Sequence, residues 1–252
     1  YNQPGTPKLE AKGQYDAATQ TYRLSLKQSL KAHAKYPNLK AVPIPVALAL
    51  FNADTGEQYT LHSADLFVNE VKDGVYLFDQ DQATIEFTGV TGQPVASLLR
   101  NFSAPVNLVF DYSDEDLTCL IQYETNGFNQ WQATQTLLER ILLEDHQVDI
   151  YIQAIKNTLP ELVNKDPLLA SRLFDVPSEN YLGSRIDQDY APELIREKRE
   201  AVLDRLACDL GSFWKETYLS LDPDLQKEFS LAMGVRSLKN ITLNMLARLG
   251  DE

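Results

Sequence analysis

Three histidines, His33, His62 and His146, are the side chains of this 252-residue sequence best suited to proton transfer or zinc ligation. A zinc site on a helix needs two histidines at i and i+4 with a carboxylate between them, and no two of these three come that close in sequence. Glu144-Asp145-His146 places ligating atoms side by side in the chain only, because successive residues of a helix point in different directions. It reads as a helix end at the surface. Cys119 and Cys208 form neither a CxxC pair nor a Cys/His set, and both read as buried free thiols. There is no GxSxG elbow, and the 11 glycines never form GxGxxG or GxxxxGK[ST]. Asp79-Gln80-Asp81 and Asp222-Pro223-Asp224 each offer two carboxylates. Neither adds the glycine turn and later bidentate Glu of a calcium loop, so they read as a strand turn and a helix start. No position is assigned as catalytic, cofactor-binding or metal-binding.

Charge and hydropathy narrow the partners further. With 36 acidic against 23 basic residues the net charge is −13, which repels phosphate backbones and argues against nucleic acid. The basic residues Arg196, Lys198 and Arg199 alternate with Glu197 and Glu200, the pattern of a solvated helix face. No apolar run approaches the roughly 20 residues that cross a bilayer, so no membrane is expected. The 44% hydrophobic content supports a sizeable core without disulfide staples, and unpaired cysteines fit the cytoplasm. The sequence starts at Tyr1 rather than Met and stops as an apolar helix is completed, so a piece of a longer chain is expected.

Two halves with different periodicities carry these residues. Over residues 1–112 the period is two: Tyr22, Leu24 and Leu26 alternate with Arg23, Ser25 and Lys27. Ile44, Val46, Leu48 and Leu50 repeat the alternation, and Pro43 and Pro45 predict a strand whose start lies at a sheet edge. Further strands are predicted over residues 58–61, 66–71, 75–78, 84–87 and 106–110. Asp54-Thr55-Gly56 and Lys72-Asp73-Gly74 supply turns. The prediction is an immunoglobulin- or fibronectin-like antiparallel β-sandwich.

Residues 113–252 read as an all-α, solenoid-like array. Ser113-Asp114-Glu115-Asp116 is an N-cap with acidic residues where the helix dipole favours them, and Asn126-Gly127 closes that helix. A second helix carries Phe128, Trp131, Leu138, Ile141 and Leu142, and a third runs from Val148 until Pro160 disturbs it. Asp166-Pro167 and Val176-Pro177-Ser178-Glu179 mark further starts. The longest helix is predicted from Pro192, burying Leu194, Ile195, Val202, Leu206, Leu210 and Phe213. Asp222-Pro223 opens the next and residues 237–249 form the last. Trp131 and Trp214 continue apolar stripes and are expected in the core.

Seven stretches in order resemble the region after the catalytic domain of bacterial aminopeptidase N, a family of zinc-dependent alanyl aminopeptidases. Gly5-Thr6-Pro7 with Tyr15-Asp16 and Tyr22-Arg23-Leu24 resembles the first strands of its third domain. Ile44-Pro45-Val46-Ala47 resembles the HIPxA strand, with Pro43 in place of His, and Phe102-Ser103-Ala104-Pro105-Val106 resembles the sandwich's last strand. Residues 111–117 resemble the linker into the helical fourth domain. Residues 126–133 resemble the NDFxRWxA helix, departing at Gly127, Asn129 and Gln130. Val176-Pro177-Ser178-Glu179 is similar to an LPSE break, and residues 236–240 to an RxLKN helix.

The resemblance implies a parent peptidase that removes N-terminal residues from peptides, with zinc held by an HExxH helix and a later Glu. None of those residues occurs here. It implies instead a sandwich that spaces domains and helices that enclose an active site, with the parent's catalytic domain as partner and peptides as substrates. From the residues alone, a free-standing Ig-like binding module with a helical protein-interaction appendage remains the alternative.

Overall fold

The computed structural model describes residues 3–31, 35, 39–60, 74–186, 191–222 and 228–250. By packing the chain divides into two compact units, Tyr1–Asn129 and Gln130–Glu252.

Among the described residues the first unit holds seven strands: β1 (Lys8–Asp16), β2 (Thr21–Ser29), β3 (Ile44–Asn52), β4 (Val75–Phe78), β5 (Gln82–Thr88), β6 (Pro94–Leu98) and β7 (Asn107–Val109). They form a four-stranded sheet in the order β5-β2-β1-β7 and a three-stranded sheet in the order β4-β3-β6. The predicted alternation is present: Tyr22, Leu24 and Leu26 are buried while Arg23, Ser25 and Lys27 face water. Leu9, Leu24, Val46, Leu50, Ile85 and Phe87 belong to the shared core. Each such side chain contributes about 1.5–3 kcal/mol when withdrawn from water.

One strand expectation is corrected, and the edge position expected at Pro45 holds for the start of its strand only. The sandwich is not wholly antiparallel, because β7 pairs with β1 in parallel. The strand containing Pro45 is the middle one of its sheet. Proline is tolerated there because β6 pairs only with Leu48 to Asn52 of β3. At Pro45 no neighbouring strand needs the missing N–H. Of residues 58–61, only Gln58 makes an isolated bridge, to Phe51; residues 61 and 66–71 lie outside the described residues.

Eight helices follow among the described residues: α1 (Asp114–Tyr123), α2 (Gly127–Leu143), α3 (Val148–Lys165), α4 (Pro167–Arg172), α5 (Glu179–Ser184), α6 (Pro192–Asp209), α7 (Gly211–Ser220) and α8 (Phe229–Leu249). Three predicted caps are in place, while the start at Asp222-Pro223 runs into residues outside the described ones. Ser113 and Asp116 form a reciprocal capping box, Asp166 Oδ1 accepts the Leu169 N–H at 2.9 Å, and Ser178 Oγ accepts that of Tyr181 at 3.2 Å. Helix α3 runs through Pro160. Pro160, Lys156 and Asn157 share the exposed face, where water can take the carbonyl that proline leaves unbonded. The longest helix is α8, a single element of 21 residues that begins before Ser237. On α6 Leu194 is exposed, and Phe213, only partly buried, belongs to α7.

Inside the second unit Trp214 is fully buried, its Nε1 donating to Leu206 O at 3.0 Å and its ring set edge-on to Phe174 at 4.7 Å. Trp131, by contrast, is only partly buried. Helices α4 and α8 touch where Gly234 lies against α4, and a Cβ there would come within 2.8 Å of the Leu168 nitrogen.

Candidate functional site

The residues with unusual surroundings gather where β6 ends, within the first unit. Leu99, Asn101 and Phe102 have φ of 56°, 57° and 53°, a left-handed backbone in three non-glycine residues. Each such residue costs about 1–3 kcal/mol and persists only when its surroundings over-determine it. The stretch around Phe102 is therefore a tight 3-10 turn (Arg100–Phe102) rather than part of the last strand, which is β7.

Several bonds hold this turn. Ser103 Oγ donates to Pro45 O at 2.8 Å and accepts the Ala47 N–H at 3.1 Å, replacing the strand that β3 lacks there. Arg100 Nη2 donates to Glu124 Oε1 and Thr125 Oγ1, each at 2.7 Å. The Glu124 side chain is 0% exposed and that of Arg100 20% exposed. The same Oε1 accepts the Asn126 N–H at 2.7 Å. Asn126 Nδ2 donates to Asn101 Oδ1.

Local sequence explains the geometry. Glu124 caps α1 in an extended conformation, its N–H reaching back to Leu120 O at 3.1 Å. Asn126 Oδ1 accepts the Asn129 N–H at 3.2 Å, so Asn126 opens α2 as well as following α1. Asn129 is buried, and its amide donates to Ser97 Oγ at 3.0 Å and Leu98 O at 2.8 Å, tying the first turn of α2 to β6. Three buried atoms here, Arg100 Nε, Glu124 Oε2 and Asn129 Oδ1, have no hydrogen-bond partner among the described residues. On the outside Phe102 and Phe128, 60% and 37% exposed, meet edge to face at 5.6 Å. The hydroxyls of Ser97, Ser103 and Thr125 are all engaged in hydrogen bonds that brace the turn. The network's carboxylate is fixed by donors, which suits holding elements in place rather than transferring protons.

The residues weighed from sequence stand elsewhere. His33, His62 and Asp224 lie outside the described residues. His146 follows α2, with Nε2 3.5 Å from Glu144 Oε2. Asp79 and Asp81 flank the turn between β4 and β5, as expected. Among the described residues no group of three His, Cys, Asp or Glu side chains could hold a metal ion. Cys119 is buried in α1, and burial, with Asp116 adding to it, pushes its thiol up to about 12. Cys208 is exposed, correcting the expectation of two buried thiols. Burial likewise raises the Tyr22, Tyr112 and Tyr151 hydroxyls far above their ordinary range.

Sequence reasoning missed the Arg100–Glu124 junction. The partners are 24 positions apart and match no motif. Asn101 alone carried a signal, since asparagine tolerates the left-handed region.

Comparisons with known proteins bear on the whole chain. Residues 5–111 match a domain of unknown function, DUF3458, with an Ig-like fold. Residues 114–252 match its companion, DUF3458_C, described as ARM repeats. Aminopeptidase N of Escherichia coli (strain K12) is 30% identical over 264 residues, covering 98% of this chain and 29% of that protein. Aminopeptidase N of Caulobacter vibrioides is 30% identical over 257 residues, covering 98% of this chain and 28% of the relative. The chain thus spans under a third of the length of these curated relatives. A crystal structure of Legionella pneumophila aminopeptidase A in complex with aspartic acid shares the fold, with a TM-score of 0.73 at 23% identity over 98% of this chain and 28% of that one. The sandwich-then-helices organisation and the likeness to bacterial aminopeptidase N both hold, and the chain belongs to the DUF3458_C family, its ARM repeats preceded by the Ig-like DUF3458 domain.

Proposed function

We propose that this chain is a non-catalytic portion of a zinc-dependent alanyl aminopeptidase. In this reading residues 1–112 space the parent's catalytic domain from residues 113–252, whose helices enclose the active site and admit only slim, unfolded peptides. One observation carries it: proteins named Aminopeptidase N align with 98% of the chain, which nevertheless spans only 29% of their length. The junction at the end of β6 supports a spacer role, because a spacer must not flex where it hands over to the next element. There the strained turn, the enclosed Arg100–Glu124 pair and Asn129 hold α1 and the first turn of α2 on the sandwich. Zinc would reside in the parent's catalytic domain and polarise water there; no residue of this chain is offered as a ligand. The partners are that catalytic domain and peptide substrates, and unpaired cysteines favour the cytoplasm.

The test compares the parent enzyme with a form ending after Tyr112, on an alanyl anilide and on a folded protein with an N-terminal alanine. The intact parent should cleave only the anilide, whereas the shortened enzyme, at equal zinc content, should accept both. Equal discrimination by the two forms would defeat the gating role.

A further inference from the structure

Strand β1 outruns its neighbour. Its parallel ladder with β7 couples Lys8, Leu9 and Glu10 to Asn107, Leu108 and Val109 and stops there. Strand β1 continues to Asp16, paired on its other side with β2. The Pro7 carbonyl accepts the Asn107 N–H at 2.8 Å, so odd-numbered residues turn their backbone groups towards β7. By the alternation of a strand, the N–H and C=O of Gly13 and Tyr15 point into the open side. No backbone partner meets them among the described residues.

That edge faces a cleft of about 220 Å3, whose lining includes Gly13, Tyr22, Val95, Phe110, Asp111 and Asp116. Tyr22 is only 4% exposed, yet its hydroxyl makes no hydrogen bond among the described residues. The hydroxyl lies over Gly13, 2.1 Å from where a Cβ would stand, so the missing side chain makes room for a polar group at the cleft. Asp111 is exposed and makes no ion pair among the described residues; Asp116, whose Oδ2 also accepts the Ser113 N–H, adds a second carboxylate to the lining, and Lys12 adds one cation.

We propose that this slot binds an extended peptide segment carrying a lysine or arginine, added as a strand in line with β7. A strand edge with free donors and acceptors matches a peptide backbone. The two carboxylates outnumber the single Lys12 ammonium and select a cationic side chain over an acidic one, with the exposed Asp111 as the group within reach. Residues 11–15 give an edge of about 16 Å at about 3.3 Å per residue, enough for a five-residue segment. This inference is independent of the peptidase reading.

The experiment is an NMR titration of the isotope-labelled 252-residue chain with acetyl-Thr-Val-Lys-Val-Thr-amide. Saturable shifts should centre on residues 11–15 and 94–96, with slowed amide exchange at Gly13 and Tyr15. Methylating alternate peptide nitrogens removes two backbone bonds and should weaken binding about tenfold or more. Asp111→Asn should weaken the lysine peptide about threefold and leave a threonine-for-lysine peptide unchanged. Absence of saturable shifts there, equal binding of the methylated peptide, or an equal effect of Asp111→Asn on both peptides would overturn the proposal.

Discussion

Replacing Arg100 with methionine would leave the enclosed Glu124 carboxylate without its cationic partner. The Glu124 side chain is fully enclosed, and its Oε1 would keep only the Asn126 N–H as donor. Removing one partner of a buried pair costs about 3–5 kcal/mol. Because the Arg100 side chain is 20% exposed, part of its charge is already solvated, and the low end, about 3 kcal/mol, is expected. That corresponds to about a hundredfold faster hydrogen exchange in β6 and α1 where exchange follows local opening. Mass spectrometry of peptides covering residues 94–124 reads it directly. Trp214 is fully buried in the other compact unit, so its emission, read in a Trp131→Phe background, is an internal control and should hardly change. The paired variant Arg100→Met with Glu124→Leu removes both charges and should recover most of the loss, to within about 1 kcal/mol. A single variant that exchanges less than about threefold faster, or a double variant as damaged as the single, would refute the account of a buried pair whose halves depend on each other.

Gly234→Ala should destabilise the helical unit by about 1–3 kcal/mol, since the added methyl meets the backbone of α4 rather than a movable side-chain tip. Urea denaturation followed by tryptophan emission measures it, and an unchanged midpoint would show that α4 gives way. Alkylation by iodoacetamide at pH 8 should label Cys208 and spare Cys119 until urea unfolds the chain; labelling of both in the folded state would contradict the burial. Because the Cys119 thiol is raised on folding from 9.0 to about 12, its contribution is complete below about pH 9 and is lost as pH rises towards 12. Cys119→Ala should therefore flatten the alkaline loss of stability, and a stability profile parallel to that of the unaltered chain would exclude the linkage.

Legibility from sequence tracked how local the physics is. Tyr22, Leu24 and Leu26 alternate because one face of β2 is wet, and Ser113, Asp166 and Ser178 satisfy helix N–H groups three residues away, so spacing alone revealed them. Strand β6 is buried at all five positions and shows no alternation, which hid it. The parallel pairing of β7 depends on a partner about a hundred positions earlier, and no local signal encodes it. Pro160 looked like a stop because a missing hydrogen bond matters only if water cannot replace it. The Arg100–Glu124 pair was the least legible feature, since Leu99 and Phe102 adopt a backbone that neither residue type prefers.

The overlap of the Tyr22 hydroxyl with the space beside Gly13 makes what position 13 can accept depend on what stands at 22. An alanine at position 13 would have to evict a ring that also stacks on Phe87 at 6.3 Å. A side chain at 13 is blocked while the ring stays, so any that appears there should arrive with, or after, a smaller residue at 22.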